Sequence, residues 1–439
     1  MKKNLFGTAA FCMTLLLSVT ACADLESVGT PAVSTASSAT SNPNAAVSTD
    51  SIPTSESTAE TTAPISQTDF PDTLPPALST TTAALATTAA AVITAAGSTT
   101  ADITPPVSNA SIASRVASMP LERKIAQMIM ASSNADTKAA KGGAGALCFF
   151  AGAFKDKNKT QVISMIEKVQ SYAEIPMLIS VDEEGGNIVR ISSNTKLRKS
   201  PFLSPSKVYA SGGWDAVKTD TAEKANLLLS LGINSNLAPV CDVPLSKNDY
   251  IYSRCFSMDA KETAEYITNV VTVMNQKKIA CTLKHFPGYG GSADTHKGKG
   301  VDSRDYSAFE QSDFLPFIAG IQAGAGSVMI SHNIVKCMDA DNPASLSPKV
   351  HEILRNTLGF QGVIITDDLD MGAVSKFYSV GDGAVKAVEA GNDMLCTSKF
   401  SESVSAIQKA VESGQISESR IDASVTRILK WKQDLSLID

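Results

Sequence analysis

Between Asn4 and Ser114 the sequence contains neither lysine nor arginine. From Ala23 to about Ala110 it is instead dominated by serine, threonine, alanine and proline. Such a segment cannot bury enough apolar surface to offset the entropy of ordering, which predicts a disordered tether. Its run Ala84–Ala96 supports at most a transient helix, because it carries threonines and no caps. Cysteine pairs are also lacking: the chain has 8 cysteines but no CxxC. Cys148, Cys241, Cys255, Cys281, Cys337 and Cys396 mostly sit in apolar runs, as buried small hydrophobes do, so no disulfide framework is expected. No cysteine–histidine cluster has ligand spacing, so no metal site is expected. A concentrated basic surface is missing as well, and a net charge of −6 with pI near 5.4 excludes nucleic acid as a main partner. After the first residues no apolar run reaches the roughly 18 residues of a membrane span.

What is present begins at the N-terminus. MKKNLFGTAAFCMTLLLSVTAC combines two lysines, an apolar stretch and small residues before Cys22. It resembles a bacterial lipoprotein signal with Val19-Thr20-Ala21-Cys22 as the lipobox. Residues 1–22 are therefore expected to be the signal, with Cys22 acylated and residues 23–110 tethering an exported domain to the membrane, facing the cell wall or exterior. Membrane contact is expected only through that anchor, and the domain is expected to be a monomer.

From Ser111 onward apolar runs alternate with amphipathic stretches, the pattern of βα units around a parallel sheet. Candidate strands are Ala144–Phe150, Met177–Glu184, Asn234–Val243, Ala280–Pro287, Ser327–Ile334, Gly362–Leu369 and Asp393–Thr397. An eighth is sought near Ser253–Ser257. Helices are expected at Leu121–Met130, Ala222–Leu231, Ala260–Gln276 and Ser403–Ser413, with Ile421–Trp431 closing the domain. Residues 111–439 are thus read as one α/β unit, a TIM-type (β/α)8 barrel.

Nearly every candidate strand is apolar first and polar last: MLIS then VDEEGG, ACTL then KHFPG, VMI then SHN, GVIIT then DDLDM. In such a barrel the strand C-termini form the active-site face, so these polar residues converge. Asp367 ends the strongest strand, where a carboxylate serves as nucleophile, base or ligand; Asp368 and Asp370 also suit a helix cap. Lys284 and His285 end another strand as donors for a polar, hydroxylated ligand. Asp294 stands two residues before His296, close enough to polarise an imidazole that exchanges protons at working pH. His332 reads equally well as a pocket or a packed residue, His351 as surface, Glu183 and Glu184 as loop hydrogen bonding, and Asp242 as an orienting group.

Three segments carry a resemblance: Asp182-Glu183-Glu184-Gly185-Gly186 with Arg190, Lys284 to His296, and Thr366 to Met371. They are similar to the D-x-E-G-G-x-x-x-R, K-H-F-P-G-x-G…D-[ST]-H and [ST]-D-D-L-x-M motifs of glycoside hydrolase family 3, and most to its NagZ-type β-N-acetylglucosaminidases. The similarity continues through APV at Ala238–Val240, SRCF at Ser253–Phe256 and PASLSP at Pro343–Pro348. The resemblance implies a retaining exo-β-N-acetylglucosaminidase acting on peptidoglycan fragments or related glycosides, with no metal or cofactor. It implies Asp367 as nucleophile, His296 as acid/base with Asp294 as its partner, and Asp182, Arg190, Arg254, Lys284 and His285 as the terminal-sugar site. A β-glucosidase, an N-acetylglucosaminide phosphorylase of the same family and a non-catalytic glycan-binding lipoprotein are the alternatives. One departure is visible: the loop Tyr289–Ala293 is a residue shorter than the family pattern, with tyrosine where many members have histidine.

Overall fold

The computed structural model describes residues 111–132, 137–292, 294–296 and 298–439. The signal segment 1–22 with Cys22, the tether 23–110 and its Ala84–Ala96 run lie outside the described residues, as does Ala293.

Eight parallel strands succeed one another around a barrel: β1 (Ile129–Ser132), β2 (Ala146–Cys148), β3 (Leu178–Val181), β4 (Ser235–Asn236), β5 (Ala280–Phe286), β6 (Ser327–Ile330), β7 (Val363–Thr366) and β8 (Leu395–Thr397). β8 pairs in parallel with β1, and a bridge from Ile365 to Met394 joins the last two strands, so the sheet returns on itself. Every barrel-strand residue is buried, as expected when helices cover the outside and side chains fill the inside.

The helices form for local reasons that the sequence carries. Ala260–Gln276 starts where the Asp259 side chain accepts from the N–H groups of Lys261 and Glu262. Thr263, Tyr266, Ile267, Val270, Val271 and Met274 then repeat at helical spacing and form its buried face. Pro205–Leu229, which contains the expected Ala222 stretch, bends where Gly212 and Gly213 leave helical geometry. Glu418–Asp434 closes the domain with Ile421, Val425, Ile428 and Leu429 inward.

Three expectations are corrected. The eighth strand is Ile129–Ser132, not a segment near Ser253–Ser257, where a 3₁₀ turn spans Tyr252–Arg254. The helix expected to reach Met130 ends at Gln127, and the next apolar residues enter the barrel as β1. His351 is not at the surface: it is 3% exposed, its Nδ1 donates to the Ser347 carbonyl at 2.8 Å, and its ring lies against Gly391. A Cβ at Gly391 would come within 3.0 Å of it, so the missing side chain there makes room for the imidazole. Of the six cysteines after the tether, only Cys337 is exposed.

Lys432 is fully buried, and its Nζ donates to Gln127 Oε1 at 2.8 Å. Burial lowers its pKa to about 7. Between that value and the ordinary lysine value the unfolded chain holds the extra proton, so stability rises with pH across the window. We expect a gain of about 2 kcal/mol between pH 7 and pH 9 in urea unfolding. Lys432→Met should flatten this gain, and an unchanged pH slope in the variant would show that another group carries it.

Candidate active site

The strand ends deliver their polar residues to one cavity of about 290 Å³. Asp182, Glu184 and Arg190 come from the segment after β3, Tyr250 and Arg254 from the segment after β4, and Lys284 and His285 from β5. Tyr289 and His296 reach it from the loop after β5, and Asp367 and Asp368 from the end of β7. Cys148, Cys396, Met329 and Met371 add a sulfur-rich apolar part. Burial pushes both thiols well up, so they are protonated packing groups.

Lys284 and His285 are adjacent yet both line the cavity, which an alternating strand does not permit. The pairing of β5 with β6 shifts register between Leu283 and Phe286, and the peptide joining Lys284 to His285 is cis. Lys284 Nζ donates to Asp182 Oδ1 at 2.8 Å and lies 2.7 Å from Glu184 Oε1. Arg190 Nη2 meets the other Asp182 oxygen at 3.2 Å. Arg254 grips Glu184 through Nε at 3.0 Å and Nη2 at 2.8 Å, a fork-to-carboxylate contact.

Burial alone would raise both acids, but the neighbouring cations outweigh it. Lys284 and Arg190 hold Asp182 below the ordinary carboxylate value, and Arg254 and Lys284 hold Glu184 well below it. Glu184 thus belongs to the site rather than merely to loop hydrogen bonding. Its position two residues after Asp182 was the available signal, since alternate residues in extended chain share a face. Glu183 points the other way and binds the loop backbone, accepting from Arg190 N at 2.8 Å and Ile191 N at 2.7 Å. Glu184→Gln leaves two buried cations short of countercharge, and we expect it to cost about 3 kcal/mol in chemical unfolding. A loss under half that would place the compensation elsewhere.

His285 Nε2 lies 3.1 Å from Arg254 Nη2, which can only donate. The imidazole proton therefore sits on Nδ1, where Asp242 Oδ2 accepts it at 2.7 Å. Asp242 is fully buried and its other oxygen accepts from Tyr289 N at 2.9 Å, so it orients both the histidine and the following loop. His332 takes the packed alternative: Ser345 Oγ donates to Nδ1 at 2.7 Å, and Nε2 donates to the Asp368 carbonyl at 2.9 Å.

Asp367 Oδ1 accepts from the N–H of Asp368 at 2.8 Å. Burial would raise its pKa, but the imidazoles of His285 and His332, the Asp368 N–H and the Lys284 ammonium together bring it below the usual value. Asp367 is thus an ionised carboxylate facing the cavity. Asp368 is the opposite case, pushed up to about 6 by burial. Neither Asp368 nor Asp370 caps the next helix: Met371 holds that position, Asp368 Oδ1 accepts from Asp370 N at 3.0 Å, and Asp370 binds Thr397 and Ser398.

On the loop after β5, Asp294 Oδ1 lies 2.8 Å from His296 Nδ1 and 3.0 Å from His296 N. The imidazole is 59% exposed, so it stands at the cavity edge. Gly288 and Gly290 both have positive φ and press on an Asp302–Arg304–Asp313 ion cluster. A Cβ at Gly288 would fall 2.3 Å from Asp313 Oδ1, so only glycine fits this loop path. All the residues expected to hold a terminal sugar therefore surround one cavity together with Asp367 and His296, while Asp294 stands behind the imidazole.

A family profile described as the glycosyl hydrolase family 3 N-terminal domain matches residues 120–431. The chain belongs to glycoside hydrolase family 3. It is 32% identical over 259 residues to a beta-hexosaminidase of Xanthomonas oryzae pv. oryzae, covering 57% of this chain and 77% of that protein. It is 29% identical over 310 residues to beta-hexosaminidase A of Pseudoalteromonas piscicida, covering 64% of this chain but 52% of that protein. The chain thus spans about half the length of the latter relative. Among solved structures, a family 3 beta-N-acetylglucosaminidase from Paenibacillus sp. str. FPU-7 superposes with a TM-score of 0.69 at 31% identity, covering 73% of this chain and 63% of that one. These findings establish the family and the barrel expected from the strand pattern.

Proposed function

We propose that this family 3 chain is a retaining, exo-acting β-N-acetylglucosaminidase. The observation that carries the reading is the meeting, in one cavity, of an ionised, half-buried carboxylate, Asp367, and an exposed imidazole, His296, backed by Asp294. Asp367 attacks the anomeric carbon as the glycosidic bond breaks, and protonated His296 gives its proton to the departing oxygen. His296 then takes a proton from water as the water displaces Asp367, so two inversions yield net retention. Asp294, accepting at Nδ1, leaves Nε2 for proton transfer and stabilises the imidazolium.

The volume of about 290 Å³ is at the small end of the roughly 300–1,000 Å³ of small-molecule sites and suits one terminal sugar rather than a chain segment. Asp182, Arg190, Arg254, Lys284 and His285 give that sugar fixed donors and acceptors for its hydroxyl and amide groups. The hexosaminidase names of the relatives support an N-acetylated sugar, and the lipoprotein-like N-terminus supports action on peptidoglycan fragments outside the membrane by an anchored monomer.

The test is turnover of 4-nitrophenyl β-N-acetylglucosaminide by the full chain, with the product anomer followed by NMR. Release of the β-anomer, undiminished without phosphate, is expected. An α-product, a requirement for phosphate, or preference for the β-glucoside would overturn the reading. Membrane fractionation of cells expressing the wild type and Cys22→Ser tests the anchor, which predicts release of the variant.

A further inference from the structure

The loop bearing Asp294 and His296 is built from small and polar residues, yet two tyrosines, Tyr250 and Tyr289, seat it. Tyr289 is only 1% exposed and packs with Val240, Ile251 and Cys255 in a small cluster of its own. Its hydroxyl is hydrogen-bonded to that of Thr295, the residue between Asp294 and His296. The ring meets His285 edge-on at 5.2 Å and Tyr250 edge-on at 5.9 Å. Tyr250 comes from the opposite side, on the segment after β4, and is 37% exposed. Its ring centroid lies 6.4 Å from that of His296, and its Oη is 3.5 Å from His296 Nδ1 and 3.4 Å from Arg254 Nη1.

The donor pattern gives these contacts a direction. Arg254 can only donate, so the phenol oxygen accepts from it. His296 Nδ1 carries its proton toward Asp294 at 2.8 Å, and the same phenol oxygen is its more distant second acceptor. Tyr250 therefore offers the imidazole an oriented edge backed by an arginine already fixed on Glu184.

We propose that Tyr250, steadied by Tyr289, is a positioning residue that sets the His296 imidazole over the cavity for proton transfer. The inference rests on the glycosidase reading above and adds a part to it: the seat belongs to this chain's own loop sequence. In kcat/KM, which reports the steps through glycosyl-enzyme formation, a residue acting through His296 matters only where the leaving group needs a proton. Nitrophenolate departs without one, whereas a sugar alkoxide does not.

The experiment compares kcat/KM for 4-nitrophenyl β-N-acetylglucosaminide and for N,N′-diacetylchitobiose in wild type, Tyr250→Phe and Tyr250→Ala, and repeats Tyr250→Ala in a His296→Ala background. We expect Tyr250→Ala to lose on the order of 10- to 100-fold on the disaccharide, with less than about 3-fold on the nitrophenyl substrate and Tyr250→Phe between wild type and Ala. In the His296→Ala background the Tyr250 change should have no further effect. Equal losses on both substrates, an undiminished disaccharide rate, or an additive loss without His296 would each overturn the proposal, the last by showing direct contact with the leaving group. Wild-type inactivity on both substrates would instead refute the glycosidase reading on which it stands.

Discussion

Asp367→Ala is expected to lower turnover of 4-nitrophenyl β-N-acetylglucosaminide by at least about 10⁴-fold, the scale seen when a covalent nucleophile is removed. The good leaving group does not rescue this variant, because the missing step is bond formation to carbon rather than protonation. Among the described residues the Asp367 side chain accepts one backbone hydrogen bond, from the next residue, so the barrel itself should survive the change. Thermal unfolding should confirm that. Asp367→Asn is the stricter comparison, since the amide keeps the size while removing the charge. The pH profile follows from the same geometry: because the Asp367 pKa is held below the ordinary aspartate value, its protonation removes activity only below about pH 4. Loss of kcat/KM with an apparent pKa near 6 on the acid side would point instead to Asp368, whose carboxyl is raised to about that value.

His296→Ala should lose about 10² to 10⁴-fold in kcat/KM on N,N′-diacetylchitobiose, the usual worth of a positioned general acid. On the nitrophenyl substrate kcat/KM should fall little, because this ratio reports the steps through glycosyl-enzyme formation and nitrophenolate needs no proton. Its kcat should fall, since water then lacks a base and the intermediate accumulates. Asp294→Asn should follow the same substrate pattern more weakly, because it disturbs the tautomer and orientation of a ring that remains present. Similar kcat/KM losses on both substrates would remove His296 from the acid role.

The barrel was legible because most of its strands are apolar until their last residues and polar thereafter. The strand that escaped, Ile129–Ser132, follows directly on the helix Leu121–Gln127. Ile125, Met128 and Ile129 continue helical spacing, while a four-residue strand buried throughout shows no alternation of its own. Site residues at strand ends were legible for the same reason: Asp182, Lys284, His285 and Asp367 each stand where an apolar run stops. Arg190 and Arg254 were not, and entered only through family motifs, because loop side chains have no period that sets their direction. Tyr250 had neither signal and Tyr289 stood out only as a departure from the family pattern; their place against His296 and Thr295 emerges once the segments after β4 and β5 are folded together. His351 shows the converse failure. Its helix reads as amphipathic, but the space left by a glycine forty positions away, Gly391, takes the ring inside.

The central claim is that Asp367 forms a bond to the sugar. It is tested most directly by incubating the enzyme with a 5-fluoro N-acetylglucosaminyl fluoride, which slows release of a glycosyl-enzyme, and mapping the adduct by peptide mass spectrometry. The account predicts one sugar per chain, attached to the peptide containing Thr366–Met371 at Asp367 and absent from Asp367→Asn. An adduct on any other residue, or steady turnover that inverts the anomeric centre with no adduct, would contradict it.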